Sequence, residues 1–177
     1  MDAATALDAY VPGDDVEAAD VTRLRVVARG DAWSRSTPLH LTASAVVVHP
    51  ASGRVLLRWH QRQQAWLQVG GHGDPGEVDP LAIALREARE ETGLDDVRPW
   101  PDDSLVHAVI VDVPANAVEP AHQHGDLRYV LATDDPSRSR PEDEGAPLRW
   151  LGFDEALELV SEDNLRVTLR RVAALLS

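Results

Sequence analysis

The chain has 177 residues, of which 44% are hydrophobic and 27% charged. That balance gives enough apolar material for one core and excludes a disordered or collagen-like chain. Seventeen Lys and Arg against thirty Asp and Glu leave a net charge of −13, the wrong sign for a phosphate-backbone binder, so no nucleic-acid partner is expected.

An anionic substrate would need a local cation to reverse that field. The absence of cysteine excludes disulfides, thiolate metal sites and cysteine nucleophiles, and suits a reducing compartment. The acidic start MDAATALDAYVPGDD lacks a basic-then-apolar leader, and no apolar run approaches the ~20 residues of a membrane helix. A cytoplasmic protein with no membrane partner is expected.

In chain order, residues 1–14 end in Pro12-Gly13 and read as a turn or frayed tail. From Asp14 to about Ala32, Val16, Leu24, Val27 and Ala28 recur at helical spacing behind an Asp-rich start, which predicts a helix. Residues 33–38 read as a linker, so residues 1–38 form an N-terminal appendage of the same domain as residues 39–177. Leu39 to His49 is a dense, β-branched run closed by Pro50-Ala51-Ser52-Gly53, with Arg54 to Trp59 as its antiparallel neighbour.

Residues 60–65 read as a loop. A short strand over Trp66 to Val69 is expected to break at Gly70-Gly71, and His72 to Asp79 to form a loop. Pro80 to Thr92 carries the clearest helix signals: Asp79 as cap, Pro80 in the first turn and Gly93 as stop. Strands follow over Leu105 to Val113, Leu127 to Thr133 and Leu148 to Leu151, the last after a polar loop. Helices near Asp154–Ser161 and Leu165–Leu176 close the chain. Helices alternating with hairpin-joined strands predict a mixed sheet in an α/β/α layer arrangement.

The segment GHGDPGEVDPLAIALREAREETGL carries the chemistry. At ~100° per residue, with Glu87 at zero, Glu90 falls near ~300° and Glu91 near ~40°, so three carboxylates share one face. Leu81, Leu85, Ala88 and Thr92 fall between about 100° and 160°, a separate stripe for the core. Like charges one turn apart repel, and a hard divalent cation would turn that repulsion into binding. The same spacing also describes a solvated acidic face paired with Arg86 and Arg89. The glycine loop upstream, able to bring backbone groups close to an ion and its phosphates, favours the metal reading.

These residues resemble the signature of the Nudix hydrolase family, G-x5-E-x7-R-E-U-x-E-E-x-G-U with U aliphatic. Arg86, Glu87, Ala88, Glu90, Glu91, Gly93 and Leu94 match its second half, and Gly71 and Glu77 keep the G-x5-E spacing. Eight residues rather than seven separate Glu77 from Arg86, an insertion around Val78-Asp79-Pro80. HLTASAVVV, GRVLLRWH and WLQVGGHGD resemble a bacterial subgroup with HxTAS and WLQxGGH patterns, and EPAHQHGDLRYVL and EDEGAPLRWLGFDEAL its later segments. The likeness spans about residues 39–160.

The resemblance implies a Nudix-like α/β/α sandwich (α+β type) and hydrolysis of the pyrophosphate linkage of a nucleoside diphosphate derivative by water attack on phosphorus. It also implies Mg²⁺ or Mn²⁺ held by Glu87, Glu90, Glu91 and the Gly71 carbonyl. Arg86, paired with Glu77, would orient the glutamates. The family draws its general base from a motif glutamate or from a later loop, here Pro141-Glu142-Asp143-Glu144, with Glu144 the first candidate and Glu142 the second.

His72, His122 and His124 are candidate contacts to substrate phosphate or structural residues, since imidazoles suit an all-oxygen, hard-cation site poorly. His122 and His124 alternate and so face one way. Trp59, Trp66 and Tyr129 fit base stacking or, more simply, the core. Loops 60–65, 114–126 and 134–147 would choose the substrate. A homodimer is compatible with the resemblance. The alternative function is a non-catalytic Nudix-fold ligand-binding or regulatory domain, against which all three helix acids are retained. An isoprenoid diphosphate isomerase on the same fold would use an active-site cysteine, absent here.

Overall fold

The computed structural model describes residues 1–115 and 119–177. The long parallel pair at its centre organises everything else. Strand β1 (Leu39–His49) runs parallel to β7 (His122–Ala132), in register from Leu39 opposite Gln123 to Val48 opposite Ala132. On the far side of β1, β2 (Arg54–His60) pairs with its last residues and β4 (Val69–Gly71) with its middle. Strands β1 and β2 therefore diverge, and β3 (Ala65–Leu67) and β4 enter the fork, β3 bonded to β2 and β4 to β1. Strands β5 (Arg98–Pro99) and β6 (His107–Val113) line the outer edge of β7, and β8 (Leu148–Gly152) lines β2.

The period of two along the central strands divides the core. Leu41, Ala43, Ala45 and Val47 of β1, with Leu127, Tyr129 and Leu131 of β7, bury one face. Helices α1 (Ala3–Ala9), α2 (Asp15–Val27) and α3 (Pro80–Thr92) cover it through Leu7, Val21, Leu24, Ile83 and Ala88. Val46, Val48, Val130 and Ala132 bury the other face beneath α4 (Phe153–Leu159) and α5 (Asp163–Leu175). The sandwich is thus α/β/α around a mixed eight-stranded sheet. Tyr129 is core, 3% exposed. Among the described residues no helix is long and apolar enough to cross a membrane.

Several boundaries differ from the sequence expectation. Residues 1–14 are not a frayed tail: α1 forms because Asp2 caps it at Thr5 N–H (2.8 Å) and its i, i+4 pair Ala3 and Leu7 is buried. The Arg25 guanidinium donates to the Leu7 and Tyr10 carbonyls and fastens that helix to α2. The expected Trp66 to Val69 strand divides at Gln68 instead of ending at Gly70-Gly71: its first part pairs with β2, and Val69 to Gly71 pair with β1, the glycines opposite Ser44 and Ala43. Residues 122–126 are not loop: parallel pairing with β1 carries β7 back to His122. Of the expected 114–126 loop, residues 116–118 lie outside the described residues.

Candidate functional site

Helix α3 has the expected ends: Asp79 accepts from Leu81 and Ala82 N–H at 3.0 and 3.3 Å, Pro80 starts the first turn, and Gly93 closes it at φ 65°. Its faces are arranged differently from the expected separate stripes. Ile83, Ala84, Ala88 and Thr92 are buried while Leu81 and Leu85 are half-buried, so the acids lie on the flank of the buried face. Glu87 and Glu91 point toward β4 with side chains only 15% and 12% exposed, whereas Glu90 turns outward.

The glycine pair makes room for them. A Cβ on Gly71 would lie 2.7–2.8 Å from the Glu87 carboxylate, so only glycine leaves that carboxylate its place. Gly70 N–H donates to Glu91 Oε2 at 3.0 Å. Arg86 draws the remaining acids together: Nη1 donates to Glu87 Oε1 and Glu90 Oε2, both at 2.9 Å, and Nη2 to Glu77 Oε2 at 2.9 Å and the His72 carbonyl at 3.0 Å. The inserted residue before α3 therefore leaves the Glu77–Arg86 pair intact.

Burial, with the neighbouring Glu87 and Glu142 charges, pushes Glu91 up to about 7 despite Arg58 and the Gly70 amide. Burial likewise raises Glu87 against the pull of Arg86. Two buried carboxylates held above their ordinary range, beside a backbone cradle that a side chain would fill, form an all-oxygen donor set suited to a hard divalent cation.

Sequence reading missed Arg58. From β2 it reaches Glu91 Oε1 (3.2 Å) and Glu142 Oε2 (3.2 Å), with its Nε buried and unpartnered among the described residues. It thereby brings the second-choice loop acid to the helix. Glu144, the first choice, is exposed and makes no hydrogen bond or ion pair among the described residues.

Opposite α3, the same strands carry polar residues at every second position. Thr42 and Ser44 hydroxyls donate to Asp126 at 3.1 and 2.9 Å, and Arg128 Nε donates to it at 2.7 Å. The other Arg128 nitrogens reach Thr168 and Asn164 of α5, which satisfies a guanidinium only 1% exposed. Burial opposes ionisation of Asp126, but Arg128 and the hydroxyls outweigh it and hold its carboxyl low.

At the open end of this row stand His40, directly opposite His124 in the register, and His122. His72, one residue beyond β4, turns in to meet them, its Nε2 3.1 Å from that of His40. Burial pushes His72 down to about 3 and His124 to about 4, and lowers His40, so these imidazoles are neutral at neutral pH. The four rings border a cavity of about 950 Å³ that is also lined by Arg35, His60 and Arg62. His40 was the histidine that sequence reading overlooked; its alternation with Thr42 and Ser44 in an otherwise apolar strand was the available signal.

The family model described as NUDIX domain matches residues 38–173. The rat protein named bis(5'-nucleosyl)-tetraphosphatase [asymmetrical] is 31% identical over 106 residues, 59% of this chain and 67% of the rat protein. The structure of a C. elegans Ap4A hydrolase binary complex superposes with TM-score 0.62 at 20% identity, covering 77% of this chain and 96% of that one. A NUDIX-family hydrolase from Clostridium perfringens gives TM-score 0.61 at 26% identity, covering 78% and 98%.

Proposed function

Since the chain belongs to the Nudix family and is a pyrophosphohydrolase, we propose that it cleaves the phosphoanhydride linkage of a nucleoside diphosphate derivative with water, using Mg²⁺ or Mn²⁺. One observation carries this reading. Gly71 gives up its side chain to the Glu87 carboxylate, and Glu91 is held beside it on the neighbouring amide.

Glu87, Glu90, Glu91 and the Gly71 carbonyl would hold the cation. When bound, it supplies neutralisation of the phosphate oxygens and a water of lowered pKa. Arg86 is a positioning residue: its fork fixes Glu87 and Glu90 and ties both to Glu77 and the His72 carbonyl. Arg58 does the same for Glu91 and Glu142. Of the two loop acids, Glu142 suits the proton-accepting role because Arg58 holds it beside Glu91. Glu144 has no such tether. Glu91, raised to about 7 by burial, would hold a bound cation as the ionised carboxylate.

The names of the rat and nematode relatives put dinucleoside tetraphosphates first among compounds to test, ahead of nucleoside triphosphates, nucleotide sugars and ADP-ribose. The test is release of nucleotide and phosphate across that panel with Mg²⁺ or Mn²⁺. At least one compound is expected to turn over only with the cation. A Glu87→Gln chain is expected to lose about 100-fold or more of that turnover. Full activity in the variant would overturn the assignment.

A further inference from the structure

From the imidazole cluster on the face of the sheet opposite α3, we infer a second metal site of different chemistry. His40, His72 and His124 bind a borderline transition-metal cation of the Zn²⁺ class, with His122 outside the three, its Nε2 against that of His124. One ring nitrogen from each of the first three lies within 4.8 Å of the others.

The shorter spacings are those of ligands about a common centre. Two nitrogens bound tetrahedrally at ~2.0–2.1 Å stand about 3.3 Å apart. His40 Nε2 to His72 Nε2 and His122 Nε2 to His124 Nε2 are each 3.1 Å.

The ring orientations are fixed from outside. His40 Nδ1 donates to the Thr37 carbonyl at 3.0 Å and His122 Nδ1 to the Pro120 carbonyl at 2.9 Å. In neutral imidazoles those bonds place the proton on Nδ1 and leave a bare Nε2 lone pair facing the cluster. A backbone carbonyl behind the ring is the usual outer partner of a metal-bound histidine.

The chain arranges this from four places in the sequence. Parallel register sets His40 against His124, strand alternation puts His122 on the same face, and β4 delivers His72. Ring centroids stand 4.8–5.4 Å apart for the five closest pairs. With no carboxylate in the set, nitrogen donors select a borderline cation over Mg²⁺.

The imidazole set shares no ligand side chain with the carboxylates on α3, and one experiment separates the two. The full chain, stripped with a chelator, is titrated with Zn²⁺ alone against a chromophoric competitor, and with Co²⁺ alone to record the visible spectrum of the bound ion. The expected result is one tight Zn²⁺ per chain and a tetrahedral Co²⁺ spectrum. Both should persist in a Glu87→Gln/Glu90→Gln/Glu91→Gln chain.

His72→Asn and His124→Asn should each weaken Zn²⁺ binding by more than about 100-fold, beyond what changing an outer partner costs, and His122→Asn by less. Their metal-free unfolding curves would show whether they remain folded. The wild-type stoichiometry and spectrum need no variant. Absence of tight Zn²⁺ in the wild-type chain would overturn the site and leave the rings as two hydrogen-bonded pairs. Loss of Zn²⁺ in the carboxylate variant with full retention in His72→Asn would overturn it equally.

Discussion

Gly71 and His72 are consecutive, yet they face two chemically opposite clusters. On the α3 side, oxygen donors crowd around a missing side chain; on the other, nitrogen donors converge from two strands and the end of a third. The three helix acids of the oxygen cluster lie within five residues, with Glu77 and Glu142 drawn in by Arg86 and Arg58, whereas the imidazole cluster spans residues 40 to 124. The difference teaches how each is built. Helical pitch alone sets the three acids of the first on one flank, whereas the second has no two members on different strands together until β1 and β7 are in register.

The largest expected effect breaks one side alone. Glu91→Gln should lower turnover about 1000-fold on the best substrate, with the far-ultraviolet dichroism and the Zn²⁺ titration unchanged. Unchanged turnover would remove Glu91 from the site.

Next, Glu142→Gln should cost about 100-fold in kcat, and Glu144→Gln less than about twofold, read from steady-state kinetics across pH. The reverse order would return the proton-accepting role to Glu144.

Gly71→Ala should cost roughly tenfold or more in activity. The added methyl meets the Glu87 carboxylate, while the imidazole face, on the other side of the strand, keeps its metal affinity.

The remaining effect is on stability rather than turnover. Glu91 keeps its proton up to about 7 in the folded chain but sheds it near 4.5 when unfolded. Its folded pKa is therefore raised, and its contribution, complete below about 4.5, is lost as pH climbs through about 7. In cation-free protein the stability difference between wild type and Glu91→Gln should move against wild type by about 3 kcal/mol over that window. Denaturant melts at several pH values would measure it. Saturating Mn²⁺ should abolish the trend, since the ionised carboxylate then has a partner.

How much of this was legible in the sequence follows the same division. The ends of α3 were readable because Asp79, Pro80 and Gly93 act on adjacent backbone groups. Strand β1 was readable from its unbroken apolar density. Helix α1 was missed because Ala3 and Leu7 are only seven residues' worth of pattern, and their partner Arg25 lies in another helix. The acids were found, but Arg58 was not, since nothing in RVLLRWH distinguishes a residue that will meet Glu91 across the fork of the sheet. His122 and His124 were seen to share a face. That His40 and His72 would complete the cluster depends on strand pairing, which composition and periodicity do not encode.

The most direct test of the central claim is product release from a dinucleoside polyphosphate by the full chain, with and without Mn²⁺, beside the Glu91→Gln chain. Turnover that requires the cation and falls about 1000-fold in the variant is the predicted result. Equal turnover in both chains, or full turnover under excess chelator, would contradict it.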